Sequence, residues 1–191
     1  MLVQALQFLL DTVLGLFALV ALLRFFLQLV RAPFRNPFSQ FVAALTDFAV
    51  RPLRRVIPGL FGMDLASLVL AWLTEFVLVL ALFWLAGMFM LKSGPLVFLA
   101  IAVLAVVKLL KLSVYIVLGA VFIQAILSWV NPYSPLAPVL SSLANPFLRP
   151  VQRIVPPVGN VDLSPLAVLL AGELLLMLPI AWLESLAMQL A

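Results

Sequence analysis

Apolar positions run almost unbroken through four stretches, residues 5–30, 65–91, 102–130 and 163–183. Each is long enough to cross a bilayer as a helix, which takes about 20 residues. The pattern predicts an all-α membrane protein with four transmembrane helices. Between the first and second stretches, and again between the third and fourth, the polarity changes. Phe38, Phe41, Val42, Leu45 and Ala49 recur there at helical spacing, and Leu136, Val139, Leu140, Leu143 and Phe147 take the same places in the second linker. Each element is too short to span, so each is expected as a short amphipathic interfacial helix, apolar face down, or as a segment that dips in and returns. Residues 94–112, "GPLVFLAIAVLAVVKLLKL", fit less simply, since the stretch is apolar but ends in Lys108 and Lys111. We read 95–107 as a surface helix or as an outward extension of the third span. A separate crossing would raise the count to five and invert one half against the other.

The polar punctuation occurs twice. "RPLRRVIPGLFGMD" (51–64) returns as "RPVQRIVPPVGNVD" (149–162). At an offset of 98, Arg51-Pro52 falls on Arg149-Pro150, Arg55 on Arg153, Pro58 on Pro156, Asp64 on Asp162 and Glu75 on Glu173. Upstream, "FLQLVR" (26–31) aligns with "ILSWVN" (126–131) at an offset of 100, which makes Gln124 the counterpart of Arg24. Each unit reads as span, basic linker, span, with domains at 1–93 and 94–191. Asn36-Pro37, Asn131-Pro132 and Asn145-Pro146 punctuate the linkers and keep the spans from running on as continuous helix.

Composition narrows the chemistry. Of 191 residues, 66% are hydrophobic and 9% charged, against roughly half and a quarter in soluble domains. With no Cys and no His, disulfides, thiolate catalysis, Cys/His zinc sites, His-ligated haem and a Ser-His-Asp triad are excluded. No nucleotide-binding or metal-ligand spacing appears, so neither an enzyme, a cofactor nor a metal is expected. A net charge of only +4, on arginines flanking apolar stretches, argues for orientation and lipid contact and against nucleic acid. The first linker carries Arg31, Arg35, Arg51, Arg54 and Arg55, and the second Arg149 and Arg153, whereas Asp11 and Glu184 lie near the ends. Positive charge collects on the cytoplasmic side. Both linkers are therefore expected inside, both termini outside, and the repeats parallel, related by an axis along the membrane normal. The first charge is Asp11, with no basic region before it, so the N-terminus reads as the start of an uncleaved first span.

Three sets of residues are candidates for function. Arg51, Arg54, Arg55, Arg149 and Arg153 suit lipid phosphates or the nearby Asp64 and Asp162. The two aspartates sit where the next span starts and can serve as N-caps, with the prolines fixing the turn before them. Glu75 and Glu173 each lie eleven residues beyond their aspartate, about three turns and about 16 Å along one helix face, near mid-bilayer. A carboxylate there is costly, so it must be protonated, paired or facing water. Glu75 and Glu173 then read either as a proton or cation site on the pseudo-axis or as protonated helix-to-helix hydrogen-bond donors. Arg24 lies about two turns inside the first span, where it either snorkels to the interface or pairs with Asp64 or Glu75. Gly62, Gly87, Gly119 and Gly172 read as sites of close helix approach.

"NPFSQF" (36–41), "RPLRRVIPG" (51–59) with Asp64, "SWVNPYSP" (128–135) and "NPFLRPVQRIVPPVGNVD" (145–162) together resemble the YggT (YlmG) family of small bacterial membrane proteins with plastid relatives. The resemblance covers nearly the whole length and implies the same four-span, two-repeat arrangement. It links the chain with osmotic tolerance and ion handling, with cell division and, in plastids, with nucleoid distribution or cytochrome assembly, and it brings no catalytic residues. The second motif has Gln152 where the first has Arg54, so the copies are expected to bind an anionic partner unequally. The expected function is that of a bacterial inner-membrane accessory or scaffold protein. Its cytoplasmic Arg-Pro linkers would contact anionic lipid headgroups or an unidentified protein in envelope or cell-division assembly. The alternative is an ion-handling protein, a homo-oligomer using Glu75 and Glu173.

Overall fold

A computed structural model describes residues 1–33, 36–59, 63–87, 95–155 and 162–190 of the chain. Arg35, Gly62, Pro156 and the expected domain boundary at 93–94 lie outside the described residues. The elements in order are α1 (Leu2–Leu29), α2 (Pro37–Val56), α3 (Leu65–Leu85), α4 (Pro95–Val130), α5 (Ala137–Ile154), α6 (Ser164–Leu175), a π-helical turn (Leu176–Ile180) and α7 (Ala181–Leu190). Four helices are long and apolar enough to cross a membrane: Leu2–Leu29, Leu65–Leu85, Leu96–Val130 and the run Ser164–Leu190. Residues 95–107 continue into α4 without a break, so the Lys-bearing stretch is an extension of the third apolar helix and no fifth one.

Local chemistry explains the ends. α1 stops in a Schellman arrangement, with Ala32 N–H donating to Leu27 O and Arg31 N–H to Gln28 O. Arg31 takes the left-handed position, φ 51°, that glycine usually fills. Asn36 caps α2, its side chain accepting from Phe38 N at 2.8 Å, and Pro37 occupies the first turn, where a missing N–H has no helical partner to lose. The fourth apolar run carries Pro179 within the π turn, which absorbs the backbone position that a proline disrupts. Gly87, at φ 70°, ends α3 and does not mark a close approach. Gly172 does: a Cβ there would collide with Leu118 of α4.

One expectation about the linkers is corrected. Pro52 and Pro150, expected to fix the turn before the next span, lie inside α2 and α5, whose last turns carry Arg54, Arg55 and Arg153. Pro52 can sit there because only one backbone bond, near the helix end, is lost to it.

α4 packs against α1, α3, α5, α6 and α7 and is the central element. Each amphipathic helix packs on the apolar helix before it and the one after it, α2 on α1 and α3, α5 on α4 and α6. One core joins Leu27, Val42, Val121, Val139 and Leu143, and so ties both amphipathic helices to α1 and α4. A second, with Val79, Phe83, Ile101 and Ala187, closes the opposite end. Asn36 Nδ2 donates to Pro135 O, which brings the start of α2 and the approach to α5 to the same end of the molecule. Large apolar side chains cover much of the outer surface, including Phe8, Leu9, Phe98, Leu170 and Met177, as expected where lipid is the solvent.

Candidate functional site

The densest polar cluster lies where α1, α2 and α3 meet. Arg24 interrupts an apolar helix, and its side chain is 7% exposed. Arg24 Nη1 donates to Thr46 Oγ1 at 2.7 Å and to Ala43 O at 3.2 Å, and lies 2.8 Å from Asp47 Oδ1. Its Nε is 3.5 Å from Asp64 Oδ2. Arg54 grips the same carboxylate with both arms of its fork, Nε to Oδ1 at 3.1 Å and Nη2 to Oδ2 at 2.5 Å. Ser67 Oγ adds a third donor to Asp64 at 2.6 Å, and Arg51 reaches Asp47 Oδ2 at 2.7 Å. The result is an alternating chain, Arg51–Asp47–Arg24–Asp64–Arg54. Of the two expectations for Arg24, pairing with Asp64 holds, and Asp47 is a further partner. Glu75 is not part of the cluster.

Electrostatics follow from this geometry. Burial disfavours ionised Asp64, but hydrogen bonds from Arg54 and Ser67 and the charges of Arg54 and Arg24 outweigh it and hold the carboxyl below the usual range. Asp47 is also held low: its desolvation is overcome by the hydrogen bond and charge of Arg24, then by Arg51. Asp64 stands at the N-cap position of α3, yet its carboxylate makes no cap hydrogen bond, because it faces Arg54, Ser67 and Arg24. Arg54 therefore belongs to the ion-pair network, although its side chain is 44% exposed. Arg51, Arg55, Arg149 and Arg153 are exposed.

The second motif is built differently. Gln152 Nε2 donates to Asp162 Oδ2 at 2.9 Å, the same ten-residue reach as Arg54 to Asp64, and Ser164 N–H donates to Asp162 Oδ1 at 2.9 Å. Hydrogen bonding from Ser164, then Gln152, keeps Asp162 below the ordinary carboxylate range. Asp162 thus forms an Asx turn onto Ser164 N–H at the start of α6, one place before Leu163, which holds the N-cap position without a side-chain cap bond.

Of the two glutamates expected near mid-bilayer, Glu75 is 2% exposed, with Oε2 accepting no hydrogen bond among the described residues and lying 3.8 Å from Lys108 Nζ. Lys108 is also 3.7 Å from Asp11 Oδ1, and Lys111 Nζ lies 3.1 Å from Glu184 Oε2. Asp11, Lys108 and Glu184 line a cavity of about 450 Å³ beside α3 and α4. Glu173 is exposed on α6. Equivalent sequence positions therefore have different surroundings. Among the described residues no group of three or more acidic side chains is placed to hold a metal ion.

Sequence reasoning passed over Asp47, Thr46 and Ser67. Asp47 carried a signal, since it lies four residues before Arg51, the spacing of a helical ion pair, and beside the inward face formed by Val42, Thr46 and Val50.

The chain has clear relatives. The family model described as CCB3/YggT matches residues 3–85 and 103–183. An uncharacterised protein of Pseudomonas aeruginosa is 43% identical over 175 residues, covering 91% of this chain and 87% of the relative. The uncharacterised protein YggT of Escherichia coli K12 is 39% identical over 168 residues, covering 87% and 85%. A third, from Vibrio alginolyticus, is 35% identical over 163 residues, covering 84% and 85%. No solved structure matches.

Proposed function

The chain belongs to the CCB3/YggT family, and on that premise we propose that it is a non-enzymatic accessory protein of the bacterial inner membrane that holds anionic headgroups or a partner protein through two arginine-tipped helices. In this reading α2 and α5 lie in the headgroup plane on the cytoplasmic side, both termini are outside, and the two halves are parallel repeats. Three observations support the arrangement. Each amphipathic helix packs on the apolar helices either side of it. Asn36 meets Pro135. The two family-matched segments start at residues 3 and 103, one in each half.

The observation that carries the functional reading is the division of labour among the arginines. Arg24 is buried and Arg54, 44% exposed, is gripped by Asp64, whereas Arg51, which keeps an ion pair with Asp47 but is 78% exposed, stands exposed with Arg55, Arg149 and Arg153 towards the ends of α2 and α5. Basic residues at an anionic surface are worth about 1 kcal/mol each. Changing these four together to Gln should cut retention of phosphatidylglycerol by the purified protein at least tenfold, read by native mass spectrometry, and release any co-purifying protein partner, while the protein still inserts. Unchanged retention and an unchanged complex would reject the reading. The partner belongs to envelope or cell-division assembly under this proposal.

One observation favours ion handling as a second reading. Glu75 is buried within an apolar helix, and Lys108 connects it to Asp11 and the adjoining cavity. An intramembrane ionisable group of this kind marks an ion or proton path by default. Glu173 would join such a path only across an interface with a second copy, since it is exposed on α6. In proteoliposomes, cation or proton flux should exceed that of empty vesicles and fall severalfold in Glu75→Gln. Flux equal to empty vesicles rules this reading out.

A further inference from the structure

The two linker regions place related polar residues at related positions and differ in charge. Arg24, Asp47, Arg54 and Asp64 form the closed chain of ion pairs on one side. Their counterparts, at an offset of 100 for Arg24 and 98 for the others, are Gln124, Asn145, Gln152 and Asp162. Three charges have become neutral amides and one carboxylate remains. Gln152 takes the place of the Arg54 fork on Asp162 and brings no positive charge. Nothing on Gln124 replaces the cationic N–H donors of Arg24. Its Oε1 is instead a buried acceptor with no hydrogen-bond partner among the described residues. Such an atom costs the protein its full desolvation until a donor reaches it.

Gln124, Gln152 and Asp162 line one groove of about 440 Å³. Its walls include Phe122, Trp129 and Leu166, all of them more than half exposed, so the groove opens sideways from the bundle. Trp129 is next to the last residue of α4, and Asp162 precedes α6 by two residues. Both positions are at the ends of membrane-length helices, where headgroups lie. Arg149 and Arg153 are exposed within one turn of Gln152 on α5.

The geometry points to a site for the primary ammonium of a zwitterionic phospholipid headgroup, of the phosphatidylethanolamine type, bound between the Asp162 carboxylate and Gln124 Oε1. A primary ammonium has three N–H donors; the groove offers the Asp162 carboxylate directly and, once the Gln124 side chain turns its buried Oε1 outward, one neutral acceptor. Arg149 and Arg153, within a turn of Gln152 on α5, would receive the phosphate, and the acyl chains would run down the apolar wall. A choline headgroup carries the same charge without an N–H, and a glycerol headgroup has no cation. The site therefore selects on donors as well as charge. It shares Arg149 and Arg153 with the anionic-lipid reading above, but its choice among headgroups rests on Asp162 and Gln124.

The test uses the full-length protein, reconstituted with equal amounts of phosphatidylethanolamine, phosphatidylcholine and phosphatidylglycerol of identical chains. Native mass spectrometry reads the lipid retained. The wild type should keep ethanolamine over choline lipid by about tenfold, the scale of one charge-assisted hydrogen bond, and stepwise N-methylation of the headgroup should erode the preference. Asp162→Asn and Gln124→Leu should each bring the ratio close to one. Equal retention of ethanolamine and choline lipid by the wild type overturns the proposal, as does a ratio unchanged in both variants. The N-methylation series uses no variant, so it decides the matter even if a substitution impairs folding. In the wild type, equal retention of ethanolamine and choline lipid with phosphatidylglycerol still retained defeats this site alone, and ethanolamine selectivity without phosphatidylglycerol retention defeats the arginine reading alone.

Discussion

Asp64 and Asp162 are the same residue in the same motif, yet a substitution should not act on them alike. Asp64 is 2% exposed and receives two guanidinium groups, so Asp64→Asn removes a buried carboxylate from buried Arg24, which keeps Asp47, and from the 44% exposed Arg54. Losing charge-assisted hydrogen bonds of this kind costs about 1.5–3 kcal/mol. Asp162 is exposed and bonded to neutral donors, and Asn in its place should change stability by about 0.5 kcal/mol or less. Thermal midpoints in one detergent would separate the two: a clear fall for the first variant, little change for the second. The pH dependence has a definite sign. Asp64 and Asp47 titrate lower folded than unfolded. Their contribution is complete above the unfolded value of about 3.9 and disappears as pH falls through the lower folded values. Wild-type stability should therefore drop below about pH 4, and Asp64→Asn should flatten that drop. An identical acid profile in the two proteins would contradict the role given to Asp64.

At the scale of helices, Asn36 has two duties. Its Oδ1 caps α2, and its Nδ2 meets Pro135 O ahead of α5. Asn36→Ala should cost about 1 kcal/mol through the cap alone, and more if the second bond also contributes. Hydrogen exchange should then rise at the start of α2 and around Pro135 together. A change confined to α2 would show that the link between the linkers carries no energy. The helices were legible in advance to different degrees. Long apolar runs and the spacing of Phe38, Phe41, Val42 and Leu45 reveal where helices lie, because burial in lipid or against a neighbour acts on every turn. The prolines misled: Pro52 and Pro150 suggest turns, but tertiary packing of Val50 and Leu148 keeps the helix intact past them. The ion-pair chain was half visible. Arg24 and Asp64 stand out as charges in apolar surroundings, whereas Asp47 sits in a polar stretch and only the packing of α2 on α1 turns it inward. The contrast between Glu75 and Glu173 was not visible, because identical local sequence periods do not determine which face a neighbour covers.

For the whole molecule, the decisive question is which compartment each amphipathic helix faces. The chain has no native cysteine, so single Cys residues at Gln40 and Tyr133 give clean reporters, both at exposed positions. An impermeant maleimide added to intact cells should label neither, and both should react once the inner membrane is opened. Labelling from opposite sides would end the parallel arrangement and the arginine reading with it.

The length of α4 reaches beyond topology. At 36 residues it is a rod about 54 Å long, while hydrocarbon is about 30 Å thick. Leu96, Phe98 and Leu99 at its early end are exposed and apolar, so that end gains nothing by standing in water. Leaning by about 40°, the limit commonly seen, it would fit the roughly 40–45 Å that includes both headgroup layers. Every partner packed on it must share or compensate that lean. The molecule should then respond to bilayer thickness: thinner lipid should tilt the rod further from the membrane normal, and thicker lipid should right it.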